Sequence, residues 1–188
     1  MNLRRVMFLI GLCAPILSIG VAWPAHAQSD FVEGSSDLDI PLAEYLAKAG
    51  PDAKLIEAGK LKIDKHRMVC GKRPTVIDPK FDSWGGAYPG FVILNPERIK
   101  GLPTPVKLYV YAHECGHQFV GRSEEAADCF AVKRGRRYGW LDQDGLEDIC
   151  TFISKLKGTW NHPPGPVRCE KMRVCYRDAA PRARASQN

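Results

Sequence analysis

Residues 109–128 read YVYAHECGHQFVGRSEEAAD, and the surrounding chain has to fold so as to serve them. Within them His113-Glu114-Cys115-Gly116-His117 is an HExxH pattern. On a helix, positions i and i+4 share one face, so both imidazoles reach a single Zn²⁺ while Glu114 lies close enough to take a proton from water. A catalytic zinc takes three protein ligands and keeps one position open. Glu124, Glu125 and Asp128 are the candidates for the third. Glu124 and Asp128 share a helical face, so one can bind metal while the other orients a ligating histidine; Glu125 points roughly 100° away. Cys115 faces away from His113 and His117 and reads as a core or disulfide residue.

The flanking pattern sets these residues on two helices. Pro103 and Pro105 precede a helix expected over residues 106–120, with Leu108, Tyr111, Ala112, Cys115 and Phe119 toward the core and Gly121 as its stop. Ser123 caps a helix over residues 124–137 whose apolar face is Ala127, Phe130, Ala131 and Tyr138. A third, near residues 144–156, carries Leu146, Ile149, Phe152, Ile153 and Leu156. Upstream, residues 40–49 read as a helix with Asp39 as cap and Gly50-Pro51 as stop, and residues 52–58 as a second helix or turn. Short β-type runs at 67–70, 75–77 and 90–94, separated by Gly71, Asp78-Pro79 and Gly85-Gly86, predict a small antiparallel sheet. Phe91-Val92-Ile93-Leu94 is the strand expected beside the HExxH helix, as an edge able to hold an extended peptide or as a plain core strand. Trp84 and Trp140 line a cleft or pack. Residues 158–188 are rich in Pro, Gly and Arg, and 177–188 read as a disordered tail.

Composition places the 188-residue chain, 45% hydrophobic and 26% charged, among ordinary globular domains. Arg4 and Arg5 precede an apolar run ending in Ala25-His26-Ala27, the form of a signal peptide over residues 1–27, followed by a flexible segment over 28–39. Pro15 and the small-residue exit disfavour a membrane span, so no stable membrane insertion is expected after cleavage. Without Arg4 and Arg5 the net charge of +6 falls to about +4, too mild to imply a nucleic-acid partner. The basic run Lys133-Arg134-Gly135-Arg136-Arg137 suits a solvated helix C-terminus. Setting Cys13 aside leaves Cys70, Cys115, Cys129, Cys150, Cys169 and Cys175, an even set that implies disulfides in an exported, periplasmic or extracellular chain.

Taken together, His113-Glu114-x-x-His117, Glu124-x-x-x-Asp128 and His162-Pro163-Pro164-x-x-x-Arg168 resemble the three signatures of the gluzincin metallopeptidases of the HtpX, Oma and CAAX-prenyl-protease type, across about residues 106–170. The resemblance implies an α+β fold: a minimal zincin-like domain over residues 40–176, with the small antiparallel sheet packed on the HExxH helix and two further helices. It implies one Zn²⁺ per chain on His113, His117 and Glu124, Glu114 as general base, and Asp128 orienting a histidine. His162 and Arg168 become candidates for binding the substrate carbonyl or oxyanion. This sequence departs from the family in the short spacer, residues 118–123, between the first two signatures, which keeps Asp128 a rival third ligand.

These readings converge on zinc-dependent hydrolysis of a peptide or protein substrate. The alternatives are an exported binding or chaperone-like domain that holds zinc without turnover, and a disulfide-stapled interaction domain in which HExxH is incidental.

Overall fold

Strand β6, Phe91–Leu94, is the one strand among the described residues in which every side chain is buried, and its alternation divides the interior of the computed structural model in two. The structure describes residues 40–159 and 162–179. Val92 and Leu94 join the main core with the HExxH helix, while Phe91 and Ile93 join a smaller core with Tyr45 and Val76. A strand covered on both faces needs no polar alternation, which explains the continuous apolar run.

The architecture is α+β. The first helix, α1 (Leu42–Ala49), leads into β1 (Lys54–Ile56), the ribbon β2 (Lys62–Ile63) and β3 (His66–Arg67), then β4 (Thr75–Ile77), β5 (Gly85–Tyr88) and β6. A short helix α2 (Pro96–Ile99) follows, then α3 (Thr104–Val120), α4 (Glu124–Tyr138), α5 (Gln143–Ile153) and α6 (Gly165–Arg177). The four-stranded sheet has the order β1-β4-β6-β5. Strand β4 runs parallel to β6, with Thr75 opposite Val92, and the other two pairings are antiparallel. Helix α3 packs on β5 and β6 and touches α4 and α5, while α6 bridges α4 and α5. Ten consecutive or near-consecutive α3 residues between Val106 and Gly116 are buried, so the helix is enclosed on most sides.

Several elements differ from the sequence reading. The sheet is mixed, not antiparallel, because β4 and β6 flank β5 in sequence and meet in parallel. Residues 52–58 contain β1, held by backbone pairing to β4 although Leu55 is exposed; tertiary pairing overrides local propensity there. Gly85-Gly86 opens a strand rather than a turn. A Cβ on Gly86 would lie 2.6 Å from Phe81 Cζ, and one on Gly85 2.9 Å from Glu114 Cγ, so both glycines answer to close packing. The edge strand beside α3 is therefore β5, and β6 lies inside the sheet. The Pro-rich stretch after Gly158 contains α6, whose prolines occupy its first turn, where no intrahelical N–H is needed. Six helices are present among the described residues instead of the four or five expected, and Phe119 and Tyr138 are more than half exposed.

Caps and bridges fix the helix positions. Ser123 Oγ accepts from Ala126 N, and Asp142 Oδ1 from Gly145 N. Three disulfides, Cys70–Cys115, Cys129–Cys175 and Cys150–Cys169, tie the segment after β3 to α3, α4 to α6, and α5 to α6. Among the described residues no helix is long and apolar enough to cross a membrane. The expected signal peptide, the 28–39 segment, the Asp39 cap and the tail beyond Ala179 lie outside the described residues.

Candidate metal centre

Helix α3 presents Tyr109, His113 and His117 at intervals of four, on one face toward α4. The two imidazoles meet edge to face, with ring centroids 4.7 Å apart and Nε2 atoms 3.1 Å apart. Each ring is held from behind. His117 Nδ1 lies 2.7 Å from Gly121 O, and a carbonyl only accepts, so Nδ1 carries a proton and Nε2 is the nitrogen turned toward the cluster. His113 Nδ1 lies 2.8 Å from Asp128 Oδ1, so its Nδ1 is likewise the donor held from behind and its Nε2 faces the cluster.

The residue between the two histidines that matters most to this packing is Gly116. A Cβ there would stand 3.1 Å from Ala127 Cα and 3.2 Å from Ala127 O. Its absence lets α4 cross close to α3, and Gly121, with φ +70°, turns the chain sharply enough for α4 to begin two residues later. Glu124, in the first turn of α4, then reaches both histidines. Its Oε2 is 3.1 Å from His113 Nε2 and its Oε1 is 3.3 Å from His117 Nε2.

These atoms make a donor set that could hold a metal ion: ligand atoms of His113, His117 and Glu124 all lie within 4.8 Å of one another. Bonds of about 2.05 Å in a tetrahedron put ligand atoms about 3.3 Å apart, close to the spacings found here. Glu124 Oε2 is buried, with His113 Nε2 at 3.1 Å and Arg168 Nη2 at 3.7 Å as ion-pair contacts but no well-directed hydrogen bond from a described residue. Glu124, rather than Asp128, is thus the acidic side chain brought to the two Nε2 atoms. Glu125 points outward and pairs with Lys171.

Asp128 serves a different purpose. It is 1% exposed and is engaged on both oxygens. Arg168 from α6 grips it with Nε to Oδ2 at 2.8 Å and Nη2 to Oδ1 at 2.9 Å, and Tyr109 Oη donates to Oδ1 at 2.5 Å. Burial works against its ionised form, but Arg168 and His113 outweigh that and hold its pKa near 2. Burial likewise opposes charge on His113, yet contact with Asp128 and Glu124 raises its pKa well above the ordinary imidazole value. His117 is desolvated in the same way and is raised by Glu124, while the two imidazoles hold the Glu124 carboxyl far below the usual range despite its burial. Two buried carboxylates, Glu124 and Asp128, thus share the Arg168 guanidinium and the two imidazoles as their cationic partners.

Both remaining candidates come to the same place. His162 Nε2 is 3.4 Å from Glu124 Oε1, with its Nδ1 2.8 Å from Thr159 Oγ1. Arg168 is 6% exposed, with Nη2 3.7 Å from Glu124 Oε2 and its strongest contacts directed at Asp128. Glu114, 7% exposed, turns with His113 toward a cleft on the β5 side of α3. Sequence reasoning assigned no part to Tyr109, Gly116 or Thr159; the spacing 109, 113, 117 carried the signal for Tyr109. No protein-family model, no curated protein and no solved structure matches this chain.

Proposed function

We propose that this chain is an exported zinc metallopeptidase with a zincin-like active site, bearing one Zn²⁺ on His113, His117 and Glu124. The convergence of the two Nε2 atoms on the buried Glu124 carboxylate, with ligand atoms of all three residues within 4.8 Å of one another, carries the reading. Imidazole and carboxylate suit zinc, and three protein ligands leave room for a fourth. A bound zinc supplies a Lewis acid that polarises a carbonyl and lowers the pKa of water toward 7.

The chain's own groups divide the remaining work. Glu114 accepts a proton from the attacking water as its oxygen bonds to the peptide carbonyl carbon, and passes that proton to the leaving nitrogen when the C–N bond breaks. His162, at the rim of the cluster, donates to the developing oxyanion. Arg168 acts as a positioning residue through Asp128, which keeps the His113 ring turned and its Nδ1 protonated. The edge strand β5 offers unpaired backbone to an extended peptide next to Glu114. Three disulfides support an oxidising, exported setting, and the three short signatures support kinship with the gluzincins named above.

The test is hydrolysis of denatured casein by the zinc-loaded chain. Activity lost on chelation, regained with zinc and absent from Glu114→Gln is the expected result. Zinc binding with no turnover of any protein or peptide substrate would favour the non-catalytic binding domain.

A further inference from the structure

The corner where α3 turns into α4 carries a row of alternating cations and rings. Phe119 comes four residues after Cys115 and shares its face, about 200° round the helix from His117. Its ring stacks on Phe130 of α4, with centroids 5.4 Å apart and planes 15° apart. The Arg73 guanidinium lies over Phe119 at 4.6 Å, and the Arg134 guanidinium stands 5.7 Å from the Phe130 centroid and 5.2 Å from that of Tyr138. The row therefore runs from the turn before β4 across the ends of both helices.

These groups are held in place. Cys70–Cys115 fastens the turn of Arg73 to α3, Arg73 Nη2 donates to Gln118 O at 3.3 Å, and Arg134 Nη2 donates to Val69 O. A guanidinium already fixed on a ring and a carbonyl loses little freedom when a ligand arrives. Neither Arg73 nor Arg134 is paired with a carboxylate among the described residues. Lys72, beside Arg73, is exposed, and so are Lys133 and Arg137, each three residues on from a member of the row. Arg136 belongs to another face, where it donates to the carbonyls of Tyr176 and Arg177. Among these cations stand exposed apolar groups: Phe119 at 52%, Tyr138 at 55% and Val120 at 37%.

Shape and charge together choose the partner. Residues 119–123 are all exposed, so the apolar tip protrudes as a corner rather than lining a groove. The stacking positions on Phe119 and Phe130 are taken by each other and by the two guanidiniums, which leaves a nucleic-acid base little ring face to stack on. An apolar corner set among unpaired cations is complementary to a flat surface with anionic headgroups above an apolar interior.

We propose that the α3–α4 corner docks the chain on the surface of an anionic lipid bilayer, with Phe119, Val120 and Tyr138 entering the headgroup boundary and the surrounding cations on the lipid phosphates. The chain adsorbs without spanning. Zinc and hydrolysis take no part in this contact, so it stands or falls apart from the peptidase reading.

The experiment is flotation of the full chain with vesicles of phosphatidylcholine alone or of phosphatidylcholine mixed with phosphatidylglycerol. Residues 1–27 are common to every variant, so differences between variants report the corner. Binding to the anionic vesicles should be at least about tenfold tighter than to the neutral ones and should weaken as salt is raised. Phe119→Ser should lower it about tenfold. Lys133→Gln with Arg137→Gln, exposed positions that keep the fold testable should the first variant misfold, should lower it about fivefold for each charge removed. Equal binding to both kinds of vesicle, or an anionic preference unmoved in the folded variants, would overturn the proposal. So would binding to single-stranded DNA or polyglutamate that is as tight as to anionic vesicles and insensitive to Phe119→Ser, since the corner would then be a general polyanion site.

Discussion

Asp128 and Arg168, forty residues apart in sequence, meet through two hydrogen bonds of 2.8 and 2.9 Å, buried beneath the candidate metal site. The pair fixes where α6 sits against α4 and, through His113 Nδ1, how a candidate ligand is aimed. Removing one partner strands the other's charge out of water. Arg168→Met should cost about 3–5 kcal/mol of stability, read by urea unfolding of the metal-free chain. It should also weaken zinc binding by roughly 10–100-fold. The double variant Asp128→Asn with Arg168→Met should recover part of the lost stability, because no charge is then left uncompensated.

Gly116 makes a prediction about geometry. Gly116→Val must push α4 from α3 because the nearest atoms, Ala127 Cα and O, belong to backbone and cannot rotate aside. A cost of about 1–3 kcal/mol is expected from overpacking. Zinc affinity should fall with it, since Glu124 rides on the displaced helix. Unaltered zinc affinity in a folded Gly116→Val chain would show that Glu124 does not depend on this crossing.

The disulfides touch the cluster at close range. Cys115 sits between His113 and His117, Cys129 follows Asp128, and Cys169 follows Arg168. The Cys129–Cys175 and Cys150–Cys169 bridges span 46 and 19 residues. Loop-closure entropy makes their removal cost about 4 and about 3 kcal/mol respectively. The paired Cys129→Ser, Cys175→Ser variant should in addition bind zinc more weakly, because α4 then loses its tether to α6. Isothermal titration with zinc, alongside urea unfolding, reads both effects.

The helices that bear the candidate metal site were legible because their signals are local. HExxH spacing placed His113 and His117 on one face, Ser123 marked the start of α4, and Gly121 the end of α3. What was not legible depends on how close two helices come. Glu124 and Asp128 could each have faced the histidines, and only the crossing at Gly116 separates their positions. Arg168 became an oxyanion candidate through the resemblance alone, and its pairing with Asp128 on another helix was not legible. The sheet was misread where packing overrules propensity: β5 begins with two glycines that local rules assign to a turn, and α6 begins with prolines that local rules assign to a loop. Six cysteines allow fifteen pairings, and nothing in their spacing selects the three formed.

The central claim concerns the ion at His113, His117 and Glu124, and metal analysis of the purified chain with zinc K-edge absorption addresses it most directly. One zinc per chain is expected, coordinated by two imidazole nitrogens and a carboxylate oxygen. It should be absent from His117→Ala, retained in Glu114→Gln, and reduced in Glu124→Ala far more than in a surface control such as Glu125→Ala. A wild-type chain that is metal-free as purified and takes up no zinc when it is supplied would contradict the site and the peptidase reading built on it.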